Sequence, residues 1–185
     1  MIKPLQFLTL LFVAMLVSFK IVDKETMEFS YPKNDKATIS MQGDGFKKFK
    51  KEWRGEDYYY MSNSKNDIIC SVLYYKLNKE EVDMMVTPTD ISSPVIPNAY
   101  FTANSNLLKY EKNQQGWGEP EDDFMFRQND IPEYEGIKIP QKHMYAYAMF
   151  GKDLFVNIHL SKVRCSPADS TEMRAMLGSL VKKMK

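Results

Sequence analysis

The chain opens on an apolar run. After Met1-Ile2-Lys3, the stretch from Leu5 to Phe19 is interrupted only by Gln6, Thr9 and Ser18. A run of about 15 such residues behind a positive start has the span of a secretory h-region. As a helix it would rise only about 22 Å, short of a hydrocarbon core of about 30 Å. We read residues 1–19 as a signal peptide, with a retained N-terminal anchor as the alternative. The rest, a single domain over 27–185, is then expected in the periplasm or secreted, touching a membrane only through that N-terminal segment.

Beyond the run the pattern changes to alternation. Met27 to Tyr31 alternates apolar and polar, Pro32 and Asn34-Asp35 mark a turn, and Ala37 to Met41 reads as the hairpin partner, ending at Gly43-Asp44-Gly45. Asp57 to Met61 is a tyrosine-rich strand, and Ile68 to Leu77 a longer, more buried one. Asn78 caps a short helix to Met85, with Glu81 three residues on. Three prolines make 86–97 a loop. Ala99, Thr102, Ala103, Asn106, Leu107 and Tyr110 then recur at helical spacing. Gln114 to Asp123 reads as a loop, Phe124 to Gln128 as a strand, and Tyr134 to Ile139 as one arm of the next pairing. His143 to Phe150 and Leu154 to Leu160 alternate on either side of Gly151-Lys152-Asp153, which predicts a hairpin. The last element carries Ser166 as N-cap, Pro167 at the first helical position and Asp169 at capping-box spacing. Its apolar stripe is Met173, Met176, Leu177, Leu180, Val181 and Met184, with Lys182, Lys183 and Lys185 at the negative end of the helix dipole.

Hairpins without βαβ crossovers predict an α+β fold: a single curved antiparallel β-sheet of about six or seven strands, covered by a middle helix and a C-terminal helix. An early hairpin opening on "MEFSYP", a mid-chain helix, and a closing hairpin "HMYAYAMFGKDLFVNIHLS" before a last amphipathic helix together resemble the α/β/α sandwich of the PsbP and Ran-binding Mog-type superfamily. The resemblance spans about residues 27–184. It implies accessory or partner-binding work rather than a shared catalytic site, and it carries over no functional residue.

Composition adds three constraints. A 13% aromatic content suits large half-buried β faces. Lys plus Arg number 25 against 24 acids, and removing the N-terminal segment takes away Lys3 and no acid, leaving the signs equal. A neutral exported domain has no global field for nucleic acid. Two cysteines exclude a cysteine-rich staple scaffold.

Candidate chemistry is sparse. His143 and His159 sit where they can face each other across the Gly151 hairpin, but no HExxH, HxH or CxxC spacing supplies a metal set. Cys70 and Cys165 form a candidate disulfide in an oxidising compartment, or two small buried hydrophobes. No G-x-S-x-G, S-x-x-K, Walker A or G-x-G-x-x-G occurs, so no cofactor and no catalytic residue is assigned. Two patches remain. Glu119, Glu121, Asp122 and Asp123 beside Trp117 offer an acidic docking loop with an aromatic anchor. Phe46, Lys47, Lys48, Phe49, Lys50, Lys51, Trp53 and Arg54 form the opposite patch; Phe46, Phe49 and Trp53 would share one face of a helix.

These features predict a non-enzymatic exported domain that binds another protein in the cell envelope. Its specific form is an immunity-type neutraliser of a secreted toxin, with the acidic loop plugging a basic active site. The alternative is a binder of a small apolar or lipid ligand, held between Tyr58, Tyr59, Tyr60, Tyr74, Tyr75 and the middle helix.

Overall fold

The computed structural model describes residues 24–85, 112–117 and 124–184. The expected signal segment, the proline loop and the middle helix lie outside them. In chain order the described elements are β1 (Glu25–Tyr31), β2 (Asn34–Gly43), β3 (Lys50–Arg54), β4 (Asp57–Asn63), β5 (Ile69–Lys76), α1 (Lys79–Met85), β6 (Lys112–Trp117), β7 (Met125–Ile131), β8 (Gln141–Phe150), β9 (Leu154–Val163), α2 (Pro167–Gly178) and β10 (Val181–Met184).

The expected α+β fold with a single sheet is overturned. The described residues are mostly β, and the strands form two antiparallel sheets: β1-β2-β10, and the larger β3-β4-β5-β9-β8-β7-β6. The β1–β2 hairpin forms as its alternation predicts, with Met27 opposite Met41 and Phe29 opposite Ile39. It leaves the main sheet because its inward side chains (Phe29, Tyr31, Ala37, Ile39 and Met41) need an apolar face to cover. They find one on the larger sheet, in one cluster with Tyr60, Val72, Tyr74, Ile158 and Leu160. Tyrosines tie the two layers: the Tyr74 hydroxyl donates to the Phe29 carbonyl at 2.7 Å and that of Tyr60 to the Ser30 carbonyl at 2.5 Å.

Both short-range helix signals hold. Asn78 Oδ1 accepts from the Glu81 amide at 3.0 Å while Glu81 Oε2 accepts from the Asn78 amide at 2.9 Å, opening α1. Ser166 and Asp169 make the same reciprocal pair at α2, with Pro167 inside it. Helix α2 buries Met173, Met176 and Leu177 against β2 and β8. It stops at Gly178, and the Ser179 amide bonds the Met176 and Leu177 carbonyls. Val181 to Met184 then run antiparallel to β2, with Lys182 opposite Ile39, so Lys182 and Lys183 are strand residues rather than dipole partners. The stripe continued past the helix because Leu180, Val181 and Met184 also suit a short strand.

Two other local expectations fail. Residues 112–117 form strand β6, paired with β7, where a loop was predicted from Gln114 on. Tyr134 and Ile137 make only an isolated bridge around Glu135 and Gly136, both at positive φ, so the expected arm is a tight turn.

Candidate functional site

The period-two alternation of the large sheet gives it two chemically different faces. One carries Cys70, Val72, Tyr74, Val156, Ile158, Leu160, Met144 and Ala146 into the inter-sheet core. The register puts Ser71, His159 and Tyr145 in one row of the second face, and Ile69, Ser161, His143 and Asn129 in the next. Ser71, Ser161, His143, Asn129 and Tyr145 are all buried there.

The two histidines meet. His143 Nδ1 lies 2.9 Å from His159 Nε2, with the rings 10° from coplanar. Tyr145 stacks on His159 at 4.5 Å between centroids, and Tyr147 continues the stack toward Phe155. A 2.9 Å contact requires one nitrogen to donate and the other to accept, which excludes the doubly protonated pair, and burial favours the neutral one over the singly protonated. Burial pushes His143 down to about 4, slightly opposed by Asp130. It pushes His159 down to about 3, with the neighbouring imidazole adding to the effect.

That pair lacks the partners of a nucleophilic site. Cys70 is opposite Leu160 and points to the other face. Cys165 lies past the end of β9, after Arg164 turns the chain at φ 53°. Both cysteines are free thiols, so the candidate disulfide is not formed. The distance follows from the strand: Val163 alone is three residues beyond the position opposite Cys70, about 10 Å at 3.3 Å per residue, past the roughly 7 Å limit between bridged Cα atoms. Burial raises both thiols above their ordinary range. Among the described residues no three His, Cys, Asp or Glu gather as a metal set.

The same face ends in an open groove of about 740 Å³ across the ends of β3, β4, β5, β9 and β8. Met61, Ile69, Ile139 and Val163 supply its apolar walls. Met61, Ile69 and Val163 are 38%, 41% and 46% exposed, unusual for side chains this apolar on consecutive paired strands. Lys47, Lys48, Lys50 and Arg164 stand around them, and none of the four has a carboxylate partner among the described residues. Lys162, also on the wall, is instead tied to Asp169 at 2.7 Å. Gln141 and Ser161 join the groove to the histidine pair: both line it, Ser161 is opposite His143, and Gln141 Oε1 is 3.4 Å from His143 Nε2.

The basic patch is not the expected helix. Phe46 bridges Ser64, and Lys50 to Arg54 are an exposed strand at the end of the large sheet. Phe46 and Phe49 turn inward to stack on each other at 5.8 Å, with Phe49 edge-on to Phe29 at 5.0 Å. Strand alternation puts Lys51 and Trp53 on one face and Lys50, Glu52 and Arg54 on the other. Trp53, 43% exposed, packs on Tyr58 at 4.7 Å with the Lys33 ammonium 5.1 Å from its ring. Arg54 is paired with Glu52 at 2.6 Å.

Of the acidic patch, Glu119, Glu121, Asp122 and Asp123 lie outside the described residues. Trp117 is the last residue of β6, opposite Phe126. The tyrosines considered as one ligand cleft divide between faces: Tyr58, Tyr60 and Tyr74 belong to the inter-sheet core, whereas Tyr59 is opposite Leu73 and Tyr75 opposite Phe155 on the second face. Sequence reasoning missed the groove. Its one local signal was that Met61 and Ile69 put apolar side chains on the phase opposite Tyr60 and Cys70.

No family model matches this chain, and no curated protein matches it.

Proposed function

We propose that this chain is a non-enzymatic exported domain that acts by binding another protein in the cell envelope, with β3 as its docking line. The observation that carries the reading is β3 itself: all five residues are exposed, and its outer side pairs with no strand among the described residues. An unpaired edge offers backbone donors and acceptors to an extended segment. Its charges select which segment. With Arg54 paired to Glu52, Lys50 and Lys51 leave the strand net positive, so it repels a second copy of itself and attracts acidic residues on a partner strand. Trp53, already packed on Tyr58, supplies a rigid aromatic anchor at low entropic cost. An immunity-type neutraliser of a secreted toxin is the specific form of this reading, and its support is the expected compartment.

The test is capture of a partner from envelope extract by wild type and by the double reversal Lys51→Glu/Arg54→Glu, followed by amide chemical-shift mapping with the captured protein. Binding lost on reversal, restored by reversing acids on the partner, and mapped to the β3 amides supports the reading. Recovery unaffected by the reversal, or shifts that leave β3 untouched, removes β3 from it.

A further inference from the structure

We propose that the groove at the end of the second sheet face is a binding site for a free long-chain fatty acid, its carboxylate held by the surrounding cations and its chain laid on the apolar walls. This goes beyond the protein-binding reading and, apart from Lys50, uses different residues. The groove volume of about 740 Å³ falls within the roughly 300–1,000 Å³ of small-molecule sites.

Three features choose the occupant. First, the groove crosses the strands rather than following one. It spans β3, β4, β5, β9 and β8, four inter-strand spacings of about 4.8 Å, or about 19 Å in all. It therefore presents side chains instead of a backbone edge, and an occupant there cannot be added as a strand. A hydrocarbon chain has no backbone groups left to satisfy and suffers no such loss. Second, Met61, Ile69 and Val163 are left between one-third and one-half exposed in a row, surface that an acyl chain covers. Third, Lys47, Lys48, Lys50 and Arg164 stand around that surface with no carboxylate partner among the described residues, and Asp67 is the one acid on the described lining. An uncharged apolar ligand leaves those cations without a partner, whereas a carboxylate answers them with charge-assisted hydrogen bonds. The concave shape takes one chain at a time, unlike a bilayer surface, which meets protruding apolar side chains.

The test is titration of the full chain, stripped of lipid, with hexadecanoate below its aggregation concentration, with hexadecanol, and with anionic phospholipid vesicles. Saturable binding of hexadecanoate is expected, at least tenfold tighter than hexadecanol. Affinity should fall by up to about fourfold for each methylene removed, the limit of full burial. Ile69→Asp should abolish binding, and Lys48→Gln/Arg164→Asn should weaken it tenfold or more. Both target exposed positions, and Asn tolerates the positive φ of residue 164. Circular dichroism and urea midpoints matched to wild type confirm that these variants fold. Trp53→Ala, which acts on the β3 reading, should leave fatty-acid affinity unchanged, so the two proposals fail separately. Equal affinity for the alcohol and the acid, indifference to Ile69→Asp, or binding to vesicles alone each overturns the proposal.

Discussion

The neutral histidine pair predicts a steep acid sensitivity. Both imidazoles hold their protons less well in the folded chain than the ordinary value of 6.5, at about 4 for His143 and about 3 for His159. The folded values are depressed, so the unfolded chain takes up protons first as pH falls. The stability the pair contributes is complete above about pH 6.5 and is lost as pH falls toward 4 and 3. At pH 5 the unfolded chain carries nearly one proton on each histidine and the folded chain almost none. Each site then costs about 1.36 kcal/mol per unit over 1.5 units, about 2 kcal/mol, and the two together about 4 kcal/mol. That is a large share of the roughly 5–15 kcal/mol that holds a domain folded.

The groups facing the pair do not reverse this. Asp130 attracts a proton to His143, but it is engaged with Lys142 at 2.7 Å. Asp57, four residues from Met61 at the other end of β4, does not face the pair, but burial raises its carboxyl and so it acts in the opposite sense on the overall profile; Asp57→Asn removes that contribution. Urea unfolding at pH 7.5 and 5.0 measures the effect. Wild type should lose about 4 kcal/mol, and His159→Gln, which keeps an amide beside His143, about half of that. A flat wild-type profile, or the full loss in the variant, refutes the assignment of acid sensitivity to this pair.

Other outcomes follow from single contacts. Tyr74→Phe strips the Phe29 carbonyl of its 2.7 Å donor between the sheets and should cost about 1–3 kcal/mol in urea unfolding. Ser166→Ala removes the α2 cap and should cost about 1 kcal/mol, read as a lowered Tm. Cys70 is buried and its thiol raised by desolvation. It should therefore resist a disulfide-exchange reagent at pH 7.5 until the chain unfolds, while half-buried Cys165 reacts slowly in the native state.

Local signals were legible wherever one turn or one cap decided the outcome. The β1–β2 turn at Pro32, the β8–β9 turn at Gly151 (φ 63°) and both capping boxes form as the residues imply. Strand β3 was missed because Phe46, Phe49 and Trp53 happen to recur at helical spacing, and their different fates depend on Phe29, a distant residue. Strand β6 was missed because "KNQQGW" does not alternate. Its pairing comes from β7. The division into two sheets was illegible for the same reason: alternation tells a hairpin which side is apolar but not which hairpin that side will cover. Only tertiary contacts such as Tyr74 to Phe29 settle that.

The candidate sites obey the same logic at longer range. A strand covered on one face alone should be apolar on one phase, yet β4 and β5 carry Tyr60 and Cys70 inward while Met61 and Ile69 remain on the other side, exposed. Toward the middle of that second face the sheet is filled by the His–Tyr stack, where polar rings satisfy one another and exclude charge. Toward its end the stack gives way to apolar side chains ringed by cations that have no carboxylate partner among the described residues. Ile69 and Val163 flank Ser161, which is opposite His143, so neutral pair and charged groove are adjacent steps along one surface. Protonation of the pair below pH 5 has two opposed effects: it adds positive charge beside the groove, which favours an anionic head group, and it weakens the sheet that shapes the groove. Measured with a long-chain alkyl sulfonate, which stays ionised in acid, binding should therefore persist until the chain unfolds and then be lost with it. In His159→Gln the loss of binding and the loss of the urea midpoint should shift to lower pH in parallel; a shift in one without the other would show that the two regions are not coupled.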